Sequence, residues 1–308
     1  MAHKSRFFYY DVWAKDQTKS KVNFLDILKN YDILKEKITI KRETERNYNL
    51  EIKKGKNSGF YYGVIVRTKK DSAFLHRNKD GLLHNLAKLL FDKEGETGEI
   101  RKDIVHFAFV HQDGQLIVLM EQGFQYPGIG VFCDYFKELT KKDNFKIEHK
   151  SRVKQKELEP LKKVFNKQLK LVKISFKKEV ELSDELPIKS FLKKMLPKEY
   201  SLSLQIKLEK TKEPIYLKMS DFVRNFFGIS QKNDNETIEA MLKMNLPEIF
   251  SVFDVEVFDK DVNISTSEKI LDHFEKEEIT VQREDATEFD RLGESLCEHL
   301  DNNIRENK

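Results

Sequence analysis

Apolar and polar positions along this chain mark out strands and amphipathic helices in a mixed order. Phe7–Trp13 is an aromatic, β-prone run and predicts a first strand. Val22, Leu25, Ile27, Leu28 and Leu34 recur at helical spacing, so Val22–Leu34 predicts an amphipathic helix. Short strands are expected at Lys37–Lys41 and Tyr48–Ile52. A stronger one is expected at Gly59–Thr68, where Gly59 and Gly63 mark a turn edge or a bulge. Leu82–Phe91 carries an apolar helical stripe. Ile104–Val110 and Gln115–Glu121 are apolar runs separated by His111-Gln112-Asp113-Gly114, a hairpin signal because Gly accepts positive φ in the turn. Gln122–Gly130 reads as a loop and Ile129–Thr140 as a helix.

The second half continues in the same style. Lys141–Asn166 is a basic connector, partly helical and interrupted by Pro160. Strands are expected at Leu169–Lys177, Leu202–Leu208 and Ser251–Phe258, the middle one alternating apolar and polar positions without a break. Helices are expected at Pro187–Leu196, Phe222–Phe227, Thr237–Leu246, Ser267–Glu277 and Thr287–Ile304. Intermingled strands and helices with an antiparallel hairpin predict an α+β fold with mixed or antiparallel sheets. The shift to basic composition places a boundary between a domain of residues 1–150 and a second of 151–308, the latter with a basic start and an acidic helical end.

Charge sharpens this picture. Residues 231–308 hold 9 Lys and Arg against 21 Asp and Glu, while residues 1–230 hold 47 against 31, so a formal total of +4 conceals strong polarity. Lys141–Lys178 is densest, with 14 basic and 4 acidic residues. A positive body attracts polyanions, nucleic acid first, or docks on its own acidic end or a partner's. Lysine dominates over arginine there. Its ammonium suits phosphate but not bidentate base readout, which predicts nucleic-acid binding without sequence preference and with steep salt dependence. The candidate phosphate contacts are Lys141, Lys142, Lys146, Lys150, Arg152, Lys154, Lys156, Lys162, Lys163 and Lys167, with Lys53, Lys54 and Lys56 as further candidates. A solvated charged surface is the competing reading. Phe145 and Phe165 lie near these lysines, at positions suited to core packing.

No catalytic signature is present. Two isolated cysteines, Cys133 and Cys297, form neither a disulfide framework nor a zinc motif, and point to a reducing, cytosolic setting. The first residues have no signal-peptide core, and no run reaches the roughly 18 apolar residues of a membrane helix. The eight histidines follow no ligand spacing, and no phosphate-cradling glycine motif occurs. No cofactor or metal is expected. The nuclease alternative would use Asp254 and Glu256, or the triplets Glu51-Ile52-Lys53 and Glu148-His149-Lys150, with a divalent metal. A third alternative is an interaction component in which charge polarity drives self-assembly.

The order of elements resembles that of the Rex-like phage exclusion proteins. The matching stretches are the aromatic first strand leading to Val22-Asn23-Phe24-Leu25-Asp26-Ile27-Leu28, and the central hairpin leading to Val131-Phe132-Cys133-Asp134-Tyr135-Phe136. Glu157-Leu158-Glu159-Pro160-Leu161, Leu169–Phe176, Leu186-Pro187-Ile188 and Leu202–Leu208 follow. The resemblance runs over most of the chain and contains no catalytic motif. It implies a homodimer that binds DNA without sequence specificity and excludes superinfecting phage, alongside a second, membrane-embedded component.

Overall fold

A computed structural model describes residues 2–35, 38–42, 46–68, 104–122, 128–165, 168–169, 171–176, 203–207, 217–218, 239–240, 242–243, 246–247, 250, 253–259, 262–282 and 286–306. In chain order the elements are β1 (Ala2–Lys15), β2 (Lys21–Val22), α1 (Phe24–Asn30), β3 (Thr39–Arg42), β4 (Arg46–Lys54), β5 (Phe60–Thr68), β6 (Ile104–Gln112), β7 (Gln115–Glu121) and α2 (Gly128–Leu139). Then come β8 (Lys146–Ser151), α3 (Leu158–Phe165), β9 (Gln168–Leu169), β10 (Leu171–Phe176), β11 (Ser203–Lys207) and β12 (Leu217–Lys218). β13 (Phe253–Asp259), β14 (Val262–Thr266), α4 (Ser267–Leu271), β15 (Lys276–Gln282) and α5 (Ala286–Glu306) complete the series. The protein is α+β. The helices expected at Leu82–Phe91, Pro187–Leu196 and Phe222–Phe227 lie outside the described residues.

The chain forms two compact units, residues 1–150 with 276–308, and residues 151–275. The expected second domain of 151–308 therefore needs correction: its last part belongs to the first unit. The physical reason is backbone pairing. β15 lies antiparallel to β1, from Ala2 opposite Gln282 to Phe8 opposite Lys276, and α5 follows it.

The first unit is built on a sheet ordered β15-β1-β7-β6-β5-β4-β3, with β2 and β8 also pairing with β1. Phe7, Phe8, Tyr9 and Tyr10 are all buried, as are consecutive residues through β6 and β7. An antiparallel sheet does this only where both faces are covered. On one face Phe7, Tyr9, Tyr62, Ala108, Val110, Ile117 and Leu119 form one core with Leu292, Leu296, Cys297 and Leu300 of α5. On the other, Phe107 and Phe109 meet Phe132 of α2 at 5.2 and 5.5 Å in edge-to-face contacts, and Phe24 of α1 meets Phe136 at 5.1 Å. Each such pair contributes about 0.5–1.5 kcal/mol beyond area burial.

Local chemistry sets the connections. The β6–β7 turn holds Asp113 at φ 51° and Gly114 at φ 82°, the doubly positive conformation that matches hairpin twist. Asn23 caps α1, its side chain accepting from the Leu25 N–H at 3.0 Å. Gly63 makes no bulge: it pairs in register with Ile52 and Phe107. A Cβ there would stand 2.0 Å from the Glu51 carbonyl oxygen, so glycine is required by close approach.

Two expectations for the sequence around residues 141–166 and 267–277 change. The partly helical connector has its helix in α3, but Lys146–Ser151 is a strand, and Pro160 does not interrupt the helix: it lies in the first turn of α3, where its missing N–H breaks no helical bond. The helix expected over Ser267–Glu277 stops at Leu271, and Lys276–Gln282 is a strand. Ile279 and Val281 are buried while Glu278 and Thr280 are exposed, the period of a sheet edge.

The second unit contains an antiparallel sheet ordered β11-β10-β13-β14 and a separate β9–β12 pair. Its buried residues include Leu161, Leu242, Leu246, Phe250, Ile270 and Phe274. Its two ends are joined: Val153 bridges Phe274, and the Lys154 N–H donates to the His273 carbonyl at 3.0 Å.

Candidate nucleic-acid interface

The boundary between units falls inside the lysine-rich segment. Lys141, Lys142, Lys146 and Lys150 belong to the first unit; Arg152, Lys154, Lys156, Lys162 and Lys163 belong to the second; Lys167 lies outside the described residues. Return of the acidic C-terminal segment also alters the charge balance. The first unit holds 33 basic and 31 acidic residues, the second 23 and 21, so each nets +2. Polarity along the chain is thus a property of segments and not of folded units.

Most candidate cations have local partners. Lys141 pairs with Glu138 at 3.3 Å, Lys162 with Glu159 at 2.6 Å and Lys146 with Glu148 at 2.6 Å. Arg152 lies 3.5 Å from Glu275, and Lys154 donates to the Asp272 carbonyl at 2.8 Å. Lys142, Lys156 and Lys163 are exposed and have no acidic partner among the described residues. Exposed i,i+3 pairs such as Lys141–Glu138 contribute at most about 1 kcal/mol, so they compete weakly with a phosphate. Lys53 is drawn to Asp290 of α5 at 2.8 Å, and the Lys56 backbone N–H donates to Glu294 at 3.2 Å. Within this unit the acidic helix docks on part of its own basic surface.

The candidate carboxylates are arranged structurally. Glu148 accepts from the Trp13 indole N–H at 3.0 Å and Lys15 at 2.7 Å, besides pairing with Lys146. Burial opposes its charge, but the two lysines outweigh that and hold its carboxyl down at about 2. In backbone register Glu256 lies opposite Lys173 and Thr266, and Asp254 opposite Ser175. No group of three or more His, Cys, Asp or Glu side chains suited to a metal occurs among the described residues.

Two buried polar groups had no signal in the sequence. His106 Nδ1 and Glu121 Oε2 lie 2.8 Å apart, each side chain 3% exposed, and the His106 backbone N–H donates to the same oxygen at 3.2 Å. The His106 ring stacks on Phe289 of α5 at 5.5 Å.

His149, on the opposite side of β8 from Glu148, is held down at about 4 by burial first and by Lys137 second. A histidine kept neutral in the folded state, with an ordinary value of 6.5, protonates more readily when unfolded. Its stabilising contribution is full above 6.5 and is lost as pH falls toward 4. Stability is expected to drop by about 2 kcal/mol between pH 7 and pH 5 from this group. Urea unfolding of His149→Gln across that range should show a flatter slope; an unchanged slope would refute the assignment.

Trp13 was also missed as a surface residue, since an aromatic strand signals core. From Asp11 onward β1 alternates: Val12 and Ala14 are 0% exposed, whereas Asp11, Trp13 and Lys15 are partly exposed on the other side. Lys15 Nζ lies 6.0 Å from the centre of the Trp13 ring. The signal that could have located this change is the replacement of aromatics by Asp11 and Lys15 at alternate positions.

Among the described residues no helix is long and apolar enough to cross a membrane. No family model matches the chain, and no curated protein matches it.

Proposed function

We propose that this protein binds nucleic acid, double-stranded DNA first, through phosphates and without reading sequence. It serves as a non-catalytic member of a phage-exclusion system of the kind the Rex-like resemblance implies. The observation that supports this is the set of exposed lysines without acidic partners among the described residues, Lys142, Lys156 and Lys163. Lysines of this kind add affinity through counterion release and add no base discrimination.

The test is a gel-shift titration with unrelated duplexes at several salt concentrations, with and without Mg²⁺. Affinities for different sequences should agree, and their logarithm should fall linearly with log salt. Replacing Lys141, Lys142, Lys156 and Lys163 by Gln should reduce the slope by roughly 0.9 for each phosphate no longer neutralised. An unchanged slope would remove these lysines from the interface. Absence of binding at low salt would overturn the function. Mg²⁺-dependent loss of the DNA would favour a nuclease.

A further inference from the structure

α5 covers one face of β1 only in its first part. Tyr9 is buried in the α5 core, while Trp13, two pleats further along the same face, is partly exposed. Around Trp13 this face is polar and cationic. Lys15 follows on β1, and Lys21 of β2 stands opposite it in register. Lys146 and Glu148 of β8 reach the same face, as their contacts with each other and with Lys15 show. Ile147 points the other way and is buried.

We propose that this partly exposed stretch of sheet is a stacking platform for unpaired bases of single-stranded nucleic acid, with Trp13 under a base and Lys15, Lys21 and Lys146 beside its phosphates. It rests on the nucleic-acid reading above and adds, beside the duplex-binding lysines, a second subsite for single strands. Three features carry it. The indole N–H is bonded to Glu148 at 3.0 Å, so the ring is already oriented and loses little freedom on binding. Three lysines against Glu148 and Asp11 leave the patch positive, complementary to a phosphate backbone. A partly exposed aromatic ring beside lysines accepts any base by its π-face, and Lys15 Nζ, which lies over the Trp13 ring at 6.0 Å, would turn to a phosphate as the base takes its place. Bases inside a duplex are stacked on each other and offer no such face, so the platform selects single strands.

Trp13 is the sole tryptophan of this chain, so the chain carries its own reporter. An oligothymidylate is titrated at low salt, with binding read by anisotropy of a labelled strand and stacking by Trp13 fluorescence. Quenching is expected with the same midpoint as binding. Trp13→Ala should weaken the oligothymidylate about tenfold, Trp13→Phe much less, and neither should change duplex affinity. Circular dichroism checks that both variants fold, and the wild-type quenching needs no variant. Binding without quenching, or wild-type affinity in folded Trp13→Ala, would overturn the platform and leave phosphate binding intact. Failure of both single strand and duplex to bind at low salt would overturn both.

Discussion

Gly293→Ala should destabilise the protein by about 3 kcal/mol, although alanine is the better helix former by about 1 kcal/mol. Gly293 lies within α5, and a Cβ there would stand 2.0 Å from Tyr62 Cδ2 and 2.5 Å from two further ring atoms. Tyr62 cannot swing aside. Its ring is buried between β5 and α5, and its hydroxyl donates to Asp290 at 2.9 Å, where Lys53 also binds. Relief therefore requires α5 to lift from the sheet, loosening Leu292, Leu296 and Leu300 together. Each of those leucines contributes roughly 1.5–3 kcal/mol by burial. The urea midpoint of Gly293→Ala measures the loss. In a Tyr62→Ala background the same change should become neutral or stabilising, because the ring it strikes is gone. A Gly293→Ala protein as stable as the parent would mean the helix is not seated on Tyr62.

Glu121→Leu is expected to cost about 3 kcal/mol, since it leaves the His106 ring nitrogen and backbone N–H without their shared acceptor in a site closed to water. Converting both residues to leucine removes donor and acceptor together. The double variant should regain a large part of the stability lost by Glu121→Leu, because apolar groups of similar size fit the α5-covered face. Denaturant unfolding of the two single variants and the double one closes the cycle. Strict additivity would show that the pair is not coupled. Duplex affinity should remain at the parental level in every folded variant, as neither side chain reaches solvent.

The elements most legible in the sequence were those whose local pattern and tertiary role agree. Asp113-Gly114 announced its hairpin because the turn needs positive φ whatever surrounds it. The stripe Phe289, Leu292, Leu296 and Leu300 announced α5 because one face of that helix is buried. Lys276–Gln282 was hidden, since Glu277 and Glu278 lower strand propensity and only pairing with β1 makes the segment a strand. That one pairing also determines to which unit the acidic helix belongs. The basic segment was visible as composition, but local ion pairs decide which lysines stay open, and a residue count carries no such information. Trp13 required knowing where α5 ends.

Synthesis order gives the placement of α5 a separate consequence. Phe7 and Tyr9 leave the ribosome long before Leu292, Leu296 and Leu300, which close the face of the sheet they occupy. The Tyr9 hydroxyl finds its acceptor in Glu277, 268 positions away. β1, β6 and β7 can pair early, but the resulting sheet carries a bare apolar face throughout translation of the inserted unit. At roughly 5–20 residues per second, that exposure lasts on the order of ten seconds or more. The nascent chain is therefore a client for a holding chaperone over that interval, and chains cut short before α5 should be cleared by proteolysis instead of accumulating as a folded first unit.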